Sequence, residues 1–298
     1  MKYIDVKEAS AKWGISDRRI RLLCTQGRID GAIKLGWSWT IPADTPKPRD
    51  GRVLRRYRTV DIRPGNVDVE AIDNLKFSHP VDSSLYDSAA FRNIIRESVE
   101  TLLSYDEAFI DDRDVRAILA GRVVPSVPLE LHLAILNFRS VLFSQVRNKE
   151  RWCEKDLRDM RVRLMQGIDD ENAAEYRKGY AVYPPRDGEN PAVPDQMETV
   201  LMQYENSWRN MHPVISAVLL YAAMLRVVPY EDYKSMFSYL VLSGELLRNG
   251  ILPPLFSKGD AEEAKAAFLL AAKRGNYEDF THFIERKIHD SYKALENV

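Results

Sequence analysis

The stretch LRVVPYEDYKSMF, residues 225–237, decides how the chain is read. Helix-forming residues lie on both sides of a Pro, an aromatic residue and two carboxylates. That is the composition of a helix–loop–helix corner, and the N-terminus of the second helix is a place where a ligand can sit. The stretch has no Gly, no His and no Arg at its far end. It has the layout of an approach to an active site, filled with other residues.

Outward from this corner the apolar residues recur at helical spacing over 87–104, 111–120, 128–147, 153–166, 194–209, 213–226, 233–249, 260–273 and 277–296. Strand-like alternation interrupts them only near 179–183. A mainly α architecture is expected: an all-α helical domain over 67–298 with one short β-hairpin. No internal repeat at a fixed period is present, which disfavours a solenoid.

Ahead of this body lies a segment of opposite charge. The overall net charge of −1 divides into 15 Lys and Arg against 7 Asp and Glu in residues 1–63, and 28 against 37 in the rest. A basic head on an acidic body predicts a polyanion partner for the head alone. The start, MKYIDVKEAS, lacks the apolar stretch of a leader, and no apolar run approaches the roughly 20 residues of a membrane span. A cytoplasmic protein with no membrane partner is expected. Cys24 and Cys153 stand far apart with no Cys-x-x-Cys or Cys/His spacing, which argues against a disulfide framework and a zinc site.

In residues 1–42, Val6, Ala9 and Trp13 recur at helical spacing, Gly14 ends that helix, and Ser16 is a suitable N-cap for a second helix. Ile20, Leu23 and Cys24 form the second helix's inner face, and Gly27 closes it. AIKLGWSWTI, 32–41, alternates and folds back at Leu35-Gly36 as a hairpin wing. Arg18, Arg19 and Arg21 near the start of the second helix are placed to reach phosphates or guanine edges, with Lys34 on the wing holding the flanking backbone. The alternative is a solvated arginine face with Trp37 and Trp39 in the core. Residues 43–66, rich in Pro, Gly and Arg, read as a basic linker that either follows a phosphate backbone or keeps the domains soluble.

The segment VKEASAKWGISDRRIRLLCTQGRIDGAIKLGWSWTIP resembles the excisionase and mercury-regulator type of winged helix-turn-helix, over roughly residues 3–42. That resemblance implies DNA binding. The body resembles the Fic (Fido-fold) family in the order of FIDDRDVRAILAGRVVP, LNFRSVLF, LRDMRVRLMQGIDDENAAEYRKGYAVYPP, VPDQMETVLMQYENS, HPVISAVLLYAAMLRVVPY and LLRNGILPPL. Usual members transfer AMP from ATP to a target hydroxyl. In that family EYRKGYAVYPP is similar to the flap that docks a target by strand addition, so Tyr176, Arg177, Val182 and Tyr183 would form it.

Usual members carry His-Pro-Phe-x-Asp/Glu-Gly-Asn-Gly-Arg-x-x-Arg at the corner, which supplies a general base, a metal-holding acid, a phosphate-cupping backbone and two arginines. Residue by residue, Val228 falls on the His, Pro229 on the Pro, Tyr230 on the Phe and Asp232 on the metal acid. Tyr233, Lys234 and Ser235 fall on Gly-Asn-Gly, and Met236 and Tyr239 on the arginines. Valine accepts no proton, and loss of a positioned base alone removes about 10²–10⁴-fold in rate. Tyrosine and serine are poor at positive φ, so the phosphate loop is expected to lose its path. His212-Pro213 and His79-Pro80 lie off the corner and read as cap or surface histidines. Glu231 and Asp232 read as a solvated helix N-terminus, with Asp232 a weak metal candidate and Lys234 a residual anion attractor. Many Fic proteins also carry a self-inhibiting Ser/Thr-x-x-x-Glu-Gly/Asn helix. The nearest stretch, TLLSYDEAF at 101–109, has Asp106 and Glu107 but no Gly or Asn behind them, and reads as degraded.

The expected function is a DNA-binding regulator whose catalytically degenerate Fic-like domain serves as sensor, dimerisation or docking unit. One alternative is a Fic-type enzyme with altered phosphate chemistry on Asp232, Glu231, Lys234 and Tyr230. Another is a silenced interaction partner of an active, toxin-like relative. No cofactor is expected, ATP and magnesium entering only with the enzyme alternative. The partners expected are DNA at the head, a protein at the flap and a second copy of the chain.

Overall fold

The computed structural model describes residues 2–25, 27, 29, 31–47, 63–81, 88–145, 151–182 and 191–296. The N-terminal unit begins with β1 (Tyr3–Asp5), followed by α1 (Val6–Trp13), α2 (Asp17–Thr25), β2 (Ile33–Leu35) and β3 (Ser38–Pro42). Asp5 and Glu8 form a reciprocal capping box at the start of α1, and Gly14 ends the helix at φ 65°. Ser16 Oγ accepts from the Arg19 amide at 3.4 Å at the start of α2. Val6, Ala9, Trp13, Ile20, Leu23, Cys24, Ile29 and Ile41 close a small core.

The sheet is antiparallel in the order β1-β3-β2. β1 has three residues and no alternation of its own to announce it; pairing with β3 defines it. The β2–β3 hairpin turns at Gly36-Trp37, not at Leu35-Gly36, because Leu35 pairs with Ser38. Gly36 takes φ 60° at the first turn position, as a two-residue hairpin of the II′ kind requires. The two hairpin tryptophans part company: Trp39 packs on the small core and Trp37 is fully exposed.

The helical body consists of α3 (Val69–Ser78), α4 (Ala89–Tyr105), α5 (Asp112–Leu119), α6 (Leu129–Gln145), α7 (Glu154–Leu164), α8 (Val193–Asn206), α9 (Pro213–Val227), α10 (Lys234–Arg248), α11 (Ala261–Arg274) and α12 (Glu278–Glu296). Nine of these ten match the helical periodicity. α3 does not, because Ile72 is the one residue it buries fully. The segment read as linker to residue 66 is already held on the body from Arg63: its amide donates to the Gly275 carbonyl at 2.8 Å, and the Tyr277 amide donates back to its carbonyl at 2.8 Å.

α9 is buried on nearly every side and forms the axis of the body, with α10, α8, α12 and α11 packed on it. Pro213 starts α9 and His212 caps it. Beside it, α10 also contacts α6 and α4. The corner, residues 228–233, is the short connection between the two most buried helices. The mainly helical class with one small hairpin is what the structure has. Tyr180 bridges Ala192 antiparallel, and the Val193 amide donates to the Gly179 carbonyl at 3.0 Å. Among the described residues no helix is long and apolar enough to cross a membrane.

Candidate functional site

Every non-glycine residue at positive φ among the described residues lies at the corner or beside it: Val228 (49°), Tyr233 (49°) and Glu107 (61°). A β-branched residue in the left-handed region is a genuine outlier, and such strain persists only where the surroundings over-determine it. Tyr233 takes the left-handed backbone that a glycine would adopt freely, whereas Ser235, on the second glycine position, does not.

The surroundings supply the reason. Arg161 of α7 is buried, and its Nη1 donates to the Asp232 carbonyl at 2.8 Å. Its guanidinium lies 4.8 Å from the centre of the Tyr230 ring, and burial pulls its pKa down. Tyr230 meets Phe237 edge-on at 4.8 Å and Tyr176 at 5.5 Å. From the other side, the Arg177 amide donates to the Pro229 carbonyl at 2.9 Å, and its Nε to Val228 at 2.5 Å. Its Nη2 donates to the carbonyls of Val227 at 3.1 Å and Tyr180 at 2.6 Å.

The N-terminus of α10, where free amides favour an anion, holds one from the chain itself. Asp106, the residue that ends α4, accepts from the Ser235 amide at 3.1 Å and the Ser235 hydroxyl at 2.7 Å. Lys234 Nζ stands 3.9 Å away. The stretch read as a degraded inhibitor thus sends an acid to this helix end, although no Gly or Asn follows it. Burial raises the Asp106 pKa, outweighing the lowering by Ser235, Lys234 and Arg161.

Of the sequence-assigned positions, Pro229, Tyr230, Met236 and Tyr239 are buried, and Val228 is partly so. Asp232, Glu231 and Lys234 are exposed; Arg161 takes the Asp232 backbone, and no group of three His, Cys, Asp or Glu side chains gathers as a metal needs among the described residues. In the segment expected to form a flap, Tyr176 and Arg177 turn inward onto the corner, leaving Tyr180 and Val182 exposed at 62% and 51%; Tyr183 lies outside the described residues. His79 ends α3 and His212 starts α9, away from the corner. Arg161 gave no sequence signal, being one arginine among several in a charged helix. Asp106 did give one, in the TLLSYDEAF stretch.

In the head, the outward stripe of α2 is Arg18, Arg21, Leu22 and Thr25, opposite Ile20, Leu23 and Cys24. Arg19 is half-buried at its flank, Arg21 stands 4.0 Å from Asp17, and Lys34 is exposed on β2. The two cysteines are unpaired, and burial pushes the Cys24 thiol up to about 11 and the Cys153 thiol up to about 12.

Asp106→Ala is expected to cost about 1–2 kcal/mol, as for a lost helix N-cap. Asp106→Asn keeps an oxygen for Ser235 and removes the buried charge. Because the folded pKa is raised above its ordinary 3.8, the carboxyl's contribution to stability is whole below 3.8 and lost as pH rises through the folded pKa. The Asn variant should therefore melt at or above the wild type near pH 7 and show a flatter pH dependence above about pH 4. An Asn variant as unstable as the Ala variant at neutral pH would show that the charge itself holds α10.

No protein-family model matches the chain, and no curated protein matches it in sequence. Solved structures do. Fic-1 from C. elegans is similar with a TM-score of 0.62 at 18% identity, covering 76% of this chain and 70% of that one. A Fic domain containing signaling protein from Bacteroides thetaiotaomicron matches with a TM-score of 0.57 at 15% identity, covering 76% of this chain and 97% of that one. A Fic family protein from Desulfovibrio desulfuricans G20 matches with a TM-score of 0.53 at 20% identity, over 77% and 72% of the two chains. The helical fold is that of Fic-domain structures.

Proposed function

We propose that the chain is a DNA-binding regulator in which a winged helix-turn-helix head is joined to a Fic-fold body that no longer transfers AMP and serves as a sensor, dimerisation or docking unit. The observation that carries this reading is the self-filled corner. Asp106 takes the α10 N-terminus that a phosphate would need, and Met236 and Tyr239 are fully buried where the resemblance requires arginines. These residues do not fit ATP and magnesium. Val228 supplies no base, and its partly buried side chain sits on a backbone tied by Arg177. For the head, the support is the exposure of Arg18 and Arg21 on the outward side of α2 and of Lys34 on β2.

Two measurements test the proposal. Labelled ATP with lysate should leave no adenylate on any protein, and Val228→His should not change that, because the base is one of several missing parts. Label that disappears on Asp232→Ala would overturn the proposal. In a mobility-shift titration the full chain should bind duplex DNA with an affinity that falls steeply as salt rises, and Arg18→Ala or Arg21→Ala should weaken it. A single small reading module buries roughly 600–1,000 Å² on DNA, so two heads joined through the body are expected in the tight complex. A full chain that binds no DNA even at about 50 mM salt, where the phosphate term is strong, would leave only an interaction role.

A further inference from the structure

The wing carries an apolar face with no partner. Ile33 and Leu35 share the outward face of β2 and are 47% and 64% exposed, and Trp37 at the turn is 101% exposed. Trp39, paired with Lys34, lies on the face opposite Ile33 and Leu35 and packs on the small core. The same hairpin therefore buries one indole and presents the other, which forgoes the hydrophobic stabilisation that its large surface can supply. The presentation is defined: Gly36 at φ 60° closes a two-residue turn, and the Leu35–Ser38 pair fixes where the tip points.

The charge of the unit that carries this tip selects among occupants. Arg18 and Arg21 line the exposed face of α2, Lys34 stands on β2, and residues 1–63 hold 15 Lys and Arg against 7 Asp and Glu. A basic unit complements a polyanion, and an exposed indole complements one whose interior is a stack of flat rings. A second copy of the same basic head would bring like charges together.

We propose that Trp37 is a stacking wedge for duplex DNA: its indole inserts at a base step and unstacks it, while Arg18, Arg21 and Lys34 hold the flanking phosphates. Aromatic and apolar side chains used in this way open a step and bend the duplex toward more contact, and every base offers a face to stack on. Ile33 and Leu35, behind the tip, then line the widened groove. The proposal rests on the DNA-binding reading of the head.

The test uses the full chain and a mixed-sequence duplex carrying 2-aminopurine, whose emission rises on unstacking, at about 50 mM salt. Wild type should raise that emission on binding, and its own tryptophan emission should be quenched, since Trp13, Trp152 and Trp208 are shielded at 4–5% exposure. Trp37→Ala should keep the wild-type melting midpoint, bind roughly 10- to 100-fold more weakly, as loss of a base–aromatic stack implies, and leave 2-aminopurine dark. Trp37→Phe should restore most of both signals. The wedge is overturned if Trp37→Ala binds DNA as tightly as wild type with the same 2-aminopurine rise, or if the change alters only self-association. If wild type binds no DNA under these conditions, the DNA-binding reading fails and the wedge with it.

Discussion

Tyr239→Arg, the change that would put back the second arginine expected from the Fic resemblance, should destabilise the helical body by about 3–5 kcal/mol, the cost of a buried charge without a partner. Tyr239 is fully buried on α10. Its hydroxyl donates to the Pro254 carbonyl at 2.9 Å and accepts from Ser98 Oγ at 3.1 Å, and its ring lies 5.4 Å from Phe256 and 5.9 Å from Phe138. None of these neighbours is a carboxylate, so a guanidinium there would lose its water and gain no counter-charge. In a chain of this size the melting midpoint should fall by roughly 6–15 °C. Tyr239→Phe keeps the ring and removes only the hydroxyl bonds, which costs about 1–3 kcal/mol through the unpaired Pro254 carbonyl and Ser98. An Arg variant that melts no lower than the Phe variant would mean that the pocket admits water or an anion. The rebuilding of a phosphate site would then be one substitution closer than the packing implies.

That contrast also shows what the sequence disclosed about the site. Periodicity located nine helices of the body because amphipathic stripes such as those of α4 and α12 are written in local order. It missed α3, whose buried face comes down to Ile72, and β1, which exists only because β3 pairs with it. At the corner, the missing His, Gly and Arg residues were visible as absences. Which contacts fill their space was not, although Asp106 and Arg177 had each been singled out, because the partners lie far apart in the chain: Asp106 lies 129 residues from Ser235, Arg161 lies 71 from Asp232, and Arg177 lies 51 from Val228. The left-handed backbone of Tyr233 has the same kind of cause. A tyrosine at φ 49° is costly in isolation by roughly 1–2 kcal/mol, and tertiary hydrogen bonds on either side of it hold it there.

Arg177→Ala should release the 177–182 segment from the corner. The C-terminal carbonyls of a helix have no partners within it, and at the end of α9 two of them, Val227 and Val228, are taken by this one guanidinium, which also holds the Tyr180 carbonyl. Hydrogen bonds from a charged donor contribute about 1.5–3 kcal/mol each, but three on one half-buried side chain are not additive. A loss of about 2–4 kcal/mol is expected, concentrated locally, because the Val228 outlier loses the donor that fixes its carbonyl. Amide hydrogen exchange should then accelerate at residues 177–182 and 191–193 and around the corner, while α6 and α12 stay protected. Arg177→Lys keeps the charge but not the fork that reaches several carbonyls, and should fall between. The inward Arg177 sets what the flap can offer outward. With Tyr176 and Arg177 committed to the corner, the exposed part of this segment among the described residues is Lys178–Tyr180 and Val182, and a docked protein strand would have to be read there. If Arg177→Ala leaves exchange at 177–182 unchanged, the bridge between Tyr180 and Ala192 holds the flap without the corner, and the two are separate devices.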